Sequence, residues 1–281
     1  MKKALQPGEL ESAIDDTTDA AQITDALQMT DAAIDKMLRL ARQRLARAIA
    51  PIRRSEAHVG LIESPLGRLL AAESPRGLVA LAYLDSRDAA SILAELKQKF
   101  DLIEDSAAAA RIGEEIERHL EGDDDAIVHR PIDLSLVASP FQRRALTRLR
   151  EVPAGSVVTY QGLAAAIGSP SSQRAVGTTM ASNPLPIYVP CHRVIKSDGR
   201  IGNYGGGVER KLKLLRAEGF EVDRGDRIPV QAVYGHWQSR IFCSPTCSAV
   251  RRAERKKWII FTDAAHARGA GMRACKLCRP A

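Results

Sequence analysis

Apolar residues recur at a spacing near 3.6 through Ile23, Leu27, Ile34, Leu38, Ala41, Leu45 and Ile49, and Pro51 closes the run, so residues 1–57 are predicted to form one or two amphipathic helices. From His58 the pattern shortens to strand-like pieces, HVGLIES and GLVALAYL. They are set off by turn residues at Ser64, Pro65, Leu66 and Gly67 and again at Ser74, Pro75, Arg76 and Gly77. Helical stretches are expected at about 88–99 and 106–121, followed by a strand near 126–137. Residues 58–130 therefore read as a small α/β scaffold domain, with none of the side chains of a site.

Ser139, Pro140 and Gln142 open the next segment as N-cap, first helical residue and capping-box partner, predicting a helix to about Arg150. After Pro153, Ala154 and Gly155 come two short helical pieces, QGLAAAIG stopped by Gly168 and SSQRAVGTTMAS ending before Asn183 and Pro184. Two short helices joined by a tight turn suggest a helix-turn-helix, although helical hairpins in ordinary cores share the pattern. NPLPIYVPCHRVI then sets Cys191 after a rigid bend, and the loop GNYGGG precedes a helix, VERKLKLLRAE, that Gly219 terminates. That glycine run lacks the lysine and hydroxyl of a phosphate-binding loop. The fold class expected for the whole chain is α+β.

Charge changes this picture. The formal net charge is +7, yet residues 58–130 carry 8 basic and 15 acidic side chains, whereas 131–230 carry 14 and 8 and 231–281 carry 10 and 2. Basic charge gathers on the two segments that hold the cysteines, as a protein acting on a polyanion would require; a basic surface kept for solubility is the plainer alternative. Apolar stretches are broken by charge well short of a membrane span, and MKKALQPGELESAIDD has no apolar signal core, so a cytoplasmic protein with no membrane partner is expected.

The 5 cysteines sharpen it further. Cys243 and Cys247, followed 28 residues later by Cys275 and Cys278, match the ligand count of a tetrahedral Zn²⁺ site. The remaining thiol, Cys191, is the candidate for chemistry.

From Ser139 to about Glu221 the chain resembles the catalytic domain of the O6-alkylguanine-DNA alkyltransferases, through SPFQRR, the tyrosine of VVTYQGLA, RAVG, NPLPIYVPCHRV, GNYGGG and LLRAEG. Residues 58–130 are similar to the scaffold domain that precedes it in that family. The resemblance implies a helical alkyltransferase domain over 131–221 that moves a methyl group from O6-methylguanine, or from O4-methylthymine, to Cys191 in a single turnover. It implies that His192, oriented by Glu218, activates the thiol through a water. Read alone, Glu218 looks like an exposed helix-end carboxylate. By the same resemblance Tyr160 protonates the departing base, Asn183 shapes the active-site turn, and Arg174 fills the gap left by a flipped base. Tyr204 and Arg193 are expected at the DNA. The implied partner is double-stranded DNA containing alkylated guanine, met by a monomer.

The segment from His236 to Pro280 is similar to the zinc domain of Ada-type repair proteins, so 231–281 is expected to be a small zinc-bound C-terminal domain. Carried over, Cys243 is both ligand and a second methyl acceptor, from methylphosphotriesters, with Arg251, Arg252, Arg255, Lys256 and Lys257 offsetting the thiolate charge; purely structural zinc is the alternative. Two further readings differ in kind. One is a non-catalytic lesion binder, which the presence of Cys191 argues against. The other is a regulator whose DNA affinity rises when Cys243 is methylated.

Overall fold

The computed structural model describes residues 35–42, 54–228, 232–252 and 258–280. The chain divides into two units, Met1–Arg53 and Arg54–Ala281. In the first, residues 35–42 are helical and include Leu38 and Ala41 of the expected stripe. Ile23, Leu27, Ile34, Leu45, Ile49 and Pro51 lie outside the described residues.

The second unit begins with β1 (Ser55–Ser64), β2 (Gly67–Ser74) and β3 (Gly77–Tyr83). The two turns between them use the same device. Ser64 Oγ accepts from Leu66 N and donates to Gly67 O, and Ser74 Oγ likewise accepts from Arg76 N and lies 3.2 Å from Gly77 O. After helix α1 (Ala89–Lys97), strand β4 (Phe100–Glu104) returns parallel to β1, giving the order β3-β2-β1-β4. One face of this sheet packs on α1 through Ala57, Leu70, Val79, Ile92 and Leu96. Helix α2 (Ser106–Leu120), capped by Asp105, covers the other face through Ile112 and Ile116.

The strand expected near 126–137 does not form. Asp124 and Asp125 open a single helical turn, α3 (Asp125–Val128), and Pro131 interrupts regular structure just beyond it. The chain then runs beside β3 with one bridge, Leu78 to Ile132, and buried Asp133 anchors it by accepting from Ser74 Oγ and pairing with Arg76.

Helix α4 (Pro140–Arg150) begins at the expected N-cap, with Ser139 accepting from Gln142 N, a cap that stabilises a helix by about 1 kcal/mol, but the Gln142 side chain does not close a capping box: its Nε2 donates to Ser182 Oγ at 3.3 Å instead. It packs with α5 (Tyr160–Ala166) and α6 (Gln173–Ala181), the two short helices, onto the same core as β1–β3 and α2. Leu146, Leu149, Leu163 and Val176 from these helices meet Leu69, Leu78, Leu81 and Ile116. Helix α7 (Val208–Ala217) closes the segment, stopped at Gly219 with φ +82°.

Strand β5 (Ser156–Thr159), just before α5, and β6 (Val194–Ile195), just after Cys191–Arg193, pair in parallel. The C-terminal residues add β7 (Val233–His236), β8 (Ile241–Cys243), helix α8 (Ser248–Arg252), β9 (Trp258–Phe261), helix α9 (Ala264–Gly269) and β10 (Arg273–Ala274). β9 pairs antiparallel with β5, so one six-stranded sheet, β10-β8-β7-β9-β5-β6, runs from the cysteine quartet to the strands beside Tyr160 and Cys191. Among the described residues no helix is long and apolar enough to cross a membrane.

Candidate functional site

Cys191 sits on a 3₁₀ turn behind the Pro-rich bend, 5% exposed, in the wall of a cavity of about 620 Å³ also lined by Asn183, Tyr204, Met180 and Tyr83. The bend is held by Asn183. Its Nδ2 donates to Val189 O at 2.8 Å and to Cys191 Sγ at 3.1 Å, while its Oδ1 accepts from Leu185 N at 3.1 Å. Ile187 within it has φ +75°, a left-handed conformation costly for a β-branched residue and retained because the surrounding bonds over-determine it. The glycine loop closes the opposite wall. A Cβ at Gly206 would overlap the Tyr83 ring and crowd Tyr204, whose hydroxyls lie 3.2 Å apart.

Burial pushes the Cys191 thiol up, and donors to the charged sulfur act against it: Asn183, then the nearby Lys211 ammonium and the Tyr204 hydroxyl. Lys211 is fully buried on α7, donating to Val194 O at 2.7 Å and Ile201 O at 2.5 Å, with burial lowering it to about 8. Tyr160, at the start of α5, is held above the usual phenol range by burial and then by Cys191, so it keeps its proton.

His192 and Glu218 are both buried, with His192 Nε2 2.7 Å from Glu218 Oε1. Glu218 is therefore no exposed helix-end carboxylate. Arg193 grips it through Nε at 2.9 and 3.0 Å and Nη2 at 2.7 Å, and gives Nη1 to Val152 O at 2.6 Å. Arg193, expected at the DNA, is only 5% exposed and committed to this carboxylate. Burial alone would raise Glu218, but Arg193, His192 and His119 hold it well below the usual carboxylate range. His192 Nδ1 has no hydrogen-bond partner among the described residues, and burial holds the ring down to about 4, leaving it a neutral base at physiological pH.

The same shifts make the fold acid-sensitive. Below about pH 6.5 the unfolded chain protonates His192 while the folded one, near pH 4, still resists, removing about 3 kcal/mol over that interval. Glu218 adds to the loss at lower pH as its depressed carboxyl protonates, and His119, raised above its ordinary value, offsets part. Urea unfolding is expected to show lower stability at pH 4.5 than at pH 7, and His192→Gln is expected to flatten that difference.

Arg174 is exposed near the start of α6, whose other end contributes Met180 to the cavity. One helix thus spans from cavity wall to surface cation, about 9 Å along its axis.

The four other cysteines place their sulfurs within 4.8 Å of one another, with Cys243 at the end of β8 and Cys275 just after β10. Trp258 packs over them, Ser244 N donates to Cys278 Sγ at 3.4 Å, and the amides of Cys278 and Leu277 bond Cys275, lowering its thiol to about 7. Four soft donors with amide hydrogen bonds to sulfur fit tetrahedral zinc. Cys243 is 2% exposed, and the side chains of Arg251, Arg252, Arg255, Lys256 and Lys257 lie outside the described residues.

Sequence reasoning missed Lys211, the structural role of Arg193, and His119. A signal existed for two of them. Lys211, Leu214, Leu215 and Glu218 share one helical face, as do Ala109, Ile112, Ile116 and His119, so polar residues occupy positions where periodicity demands burial.

Residues 140–220 match the family model of the 6-O-methylguanine DNA methyltransferase DNA-binding domain, and residues 222–281 that of the metal binding domain of Ada. The chain is 36% identical over 164 residues to the bifunctional transcriptional activator/DNA repair enzyme Ada of Escherichia coli, covering 58% of this chain and 46% of the relative. It is 34% identical over 158 residues to the methylated-DNA–protein-cysteine methyltransferase of Methanosarcina barkeri, covering 56% of this chain and 94% of the relative. A crystal structure of Mycobacterium tuberculosis OGT in complex with DNA is similar at 30% identity and TM-score 0.49, covering 58% of this chain and 93% of that one. The chain spans less than half the length of the two Ada relatives, 46% of the E. coli protein and 42% of the Salmonella typhimurium one.

Proposed function

Because the chain belongs to the methylated-DNA–protein-cysteine methyltransferase family, we propose that it repairs DNA by moving the methyl group of O6-methylguanine to Cys191. The observation that carries this reading is a single thiol in a cavity wall, touched by Asn183 and Tyr204 and adjacent in sequence to a neutral, carboxylate-held imidazole. A buried thiol held up by desolvation must lose its proton to react. His192 Nδ1 receives it through a water, and the Glu218 carboxylate, held in place by Arg193, stabilises the resulting imidazolium. The S–CH₃ bond forms as the O6–CH₃ bond breaks, the electron pair passes to the guanine ring, and the phenol of Tyr160 supplies the proton that neutralises the base. A thioether has no leaving group, so Cys191 reacts once.

Double-stranded DNA is the partner, and the base is extruded to reach Cys191. Arg174 occupies the vacated stack, offsetting an extrusion cost of a few kcal/mol. Arg174→Ala is expected to slow single-turnover repair of duplex DNA by about tenfold while leaving reaction with free O6-methylguanine unchanged. An equal loss on both substrates would remove Arg174 from this role.

The order and spacing of the zinc ligands support Cys243 as a second acceptor, from methylphosphotriesters, and its burial requires that the cluster open for attack. An oligonucleotide carrying one methylphosphotriester and no base lesion tests this through methyl at Cys243.

A further inference from the structure

The scaffold side of the molecule supplies a side chain that the proposed mechanism does not use. His119 lies in the last turn of α2 and is 1% exposed. It continues the stripe Ala109, Ile112 and Ile116, where an apolar residue would pack without any desolvation cost. The imidazole instead lies between two carboxylates. Nδ1 is 3.0 Å from Asp124 Oδ1, and Nε2 is 3.5 Å from Glu218 Oε1, the oxygen that His192 and Arg193 also approach; neither approach is aligned as a hydrogen bond, so both contacts act through charge. Ring atoms of His119 and His192 and a carboxylate oxygen of Glu218 all fall within 4.8 Å of one another.

The charged and titratable groups facing His119 are Asp124 beyond its own helix, Glu218 closing α7, and His192 and Arg193 beside Cys191. Protonated, His119 completes a chain of alternating charge, Asp124, His119, Glu218, Arg193, in a setting where an uncompensated charge is expensive. We propose that His119 is a positioning residue of the Cys191 centre, fixing Glu218 from the scaffold side and, through it, the neutral state and orientation of His192. Burial would lower His119, yet Asp124 and Glu218 raise it, and its positive charge in turn helps hold His192 down. The scaffold helix then serves the chemistry directly, beyond contributing to the core it shares with Cys191.

This inference rests on the Cys191 reading, and its test separates the two. Full-length protein labelled with ¹⁵N-histidine is compared with His119→Gln, which keeps size and hydrogen-bonding capacity without the charge, and with Asp124→Asn at a half-exposed position. Histidine ring resonances are recorded from roughly pH 3.5 to 9 alongside single-turnover methyl transfer from an O6-methylguanine duplex near neutral pH. For His119→Gln the expected result is a change in the His192 ring resonances, with its titration moved to higher pH, and transfer slowed about tenfold near neutral pH. Asp124→Asn is expected to shift the same resonances in the same direction, and it carries the test if His119→Gln fails to fold. Unchanged His192 resonances in whichever variant folds would overturn the proposal, as would a lower melting temperature with an unchanged transfer rate. If the wild-type protein transfers no methyl, the Cys191 reading fails, while the His192 resonances still answer for His119.

Discussion

Replacing Cys191 with alanine is expected to abolish methyl transfer from O6-methylguanine entirely, with DNA affinity changed by less than about threefold. The other four thiols are gathered in the C-terminal quartet, so among the described residues no second thiol lines the cavity. The substitution leaves the site otherwise intact, because Asn183 Nδ2 keeps Val189 O and the left-handed Ile187 turn does not depend on the sulfur. DNA affinity should persist because the cations available to phosphate, such as Arg174 and Arg143, are exposed on other elements. Single-turnover transfer and gel-shift titration on the same duplex check both halves. Residual transfer would move the acceptor elsewhere, and lost binding would mean that the turn itself, not its thiol, meets the DNA.

Removing zinc with a strong chelator is expected to lower the melting temperature by about 10–20 °C and to expose β5 along with the C-terminal strands. Without the cation the quartet is repulsive: burial and then its cysteine neighbours push the Cys243 thiol up, so Cys243 keeps its proton and the cross-links through the metal vanish. The effect should not stop at the cluster. β9 pairs with β5 through Ser156 to Phe261, Val157 to Ile260 and Val158 to Ile259, and Ile260 shares a core with Val157, Ile195, Leu215 and Phe220. The His266 ring fills the space over Gly155, where a Cβ would collide with it. Thr159, the last residue of β5, caps the helix that Tyr160 begins, so loss of the metal is expected to reach Tyr160 through one strand. Hydrogen exchange of zinc-loaded and stripped protein should show faster exchange in β5 as well as in β7–β9. Unchanged exchange in β5 would make the shared sheet energetically irrelevant.

What the sequence made legible was local. The Ser139 cap with Pro140 behind it, the glycine stop at 219 and the close pairing of Cys243 with Cys247 and of Cys275 with Cys278 each act within a turn or two of chain, and each is found in place. What it did not disclose depends on contacts between distant segments. The parallel return of β4 to β1 and the pairing of β9 with β5 join residues far apart, with nothing in either strand to name its partner. The alternating residues after Asp125 looked like a strand, but Pro131 and the buried anchor of Asp133 hold them as an irregular edge beside β3. Arg193 was misplaced because an arginine in a basic segment looks like a DNA contact until the buried carboxylate it serves is known. His119 and Lys211 were visible as polar residues on apolar helical faces, yet periodicity alone says that such a side chain is buried, not what it meets.

The most direct measurement is peptide mapping by mass spectrometry of zinc-loaded protein after reaction with a duplex containing one O6-methylguanine and no methylated phosphate. Stoichiometric methyl on the peptide bearing Cys191, with Cys243 unmodified, is the predicted result. An unmodified Cys191 alongside tight binding to the lesion would contradict the account and make the protein a lesion binder instead of an acceptor.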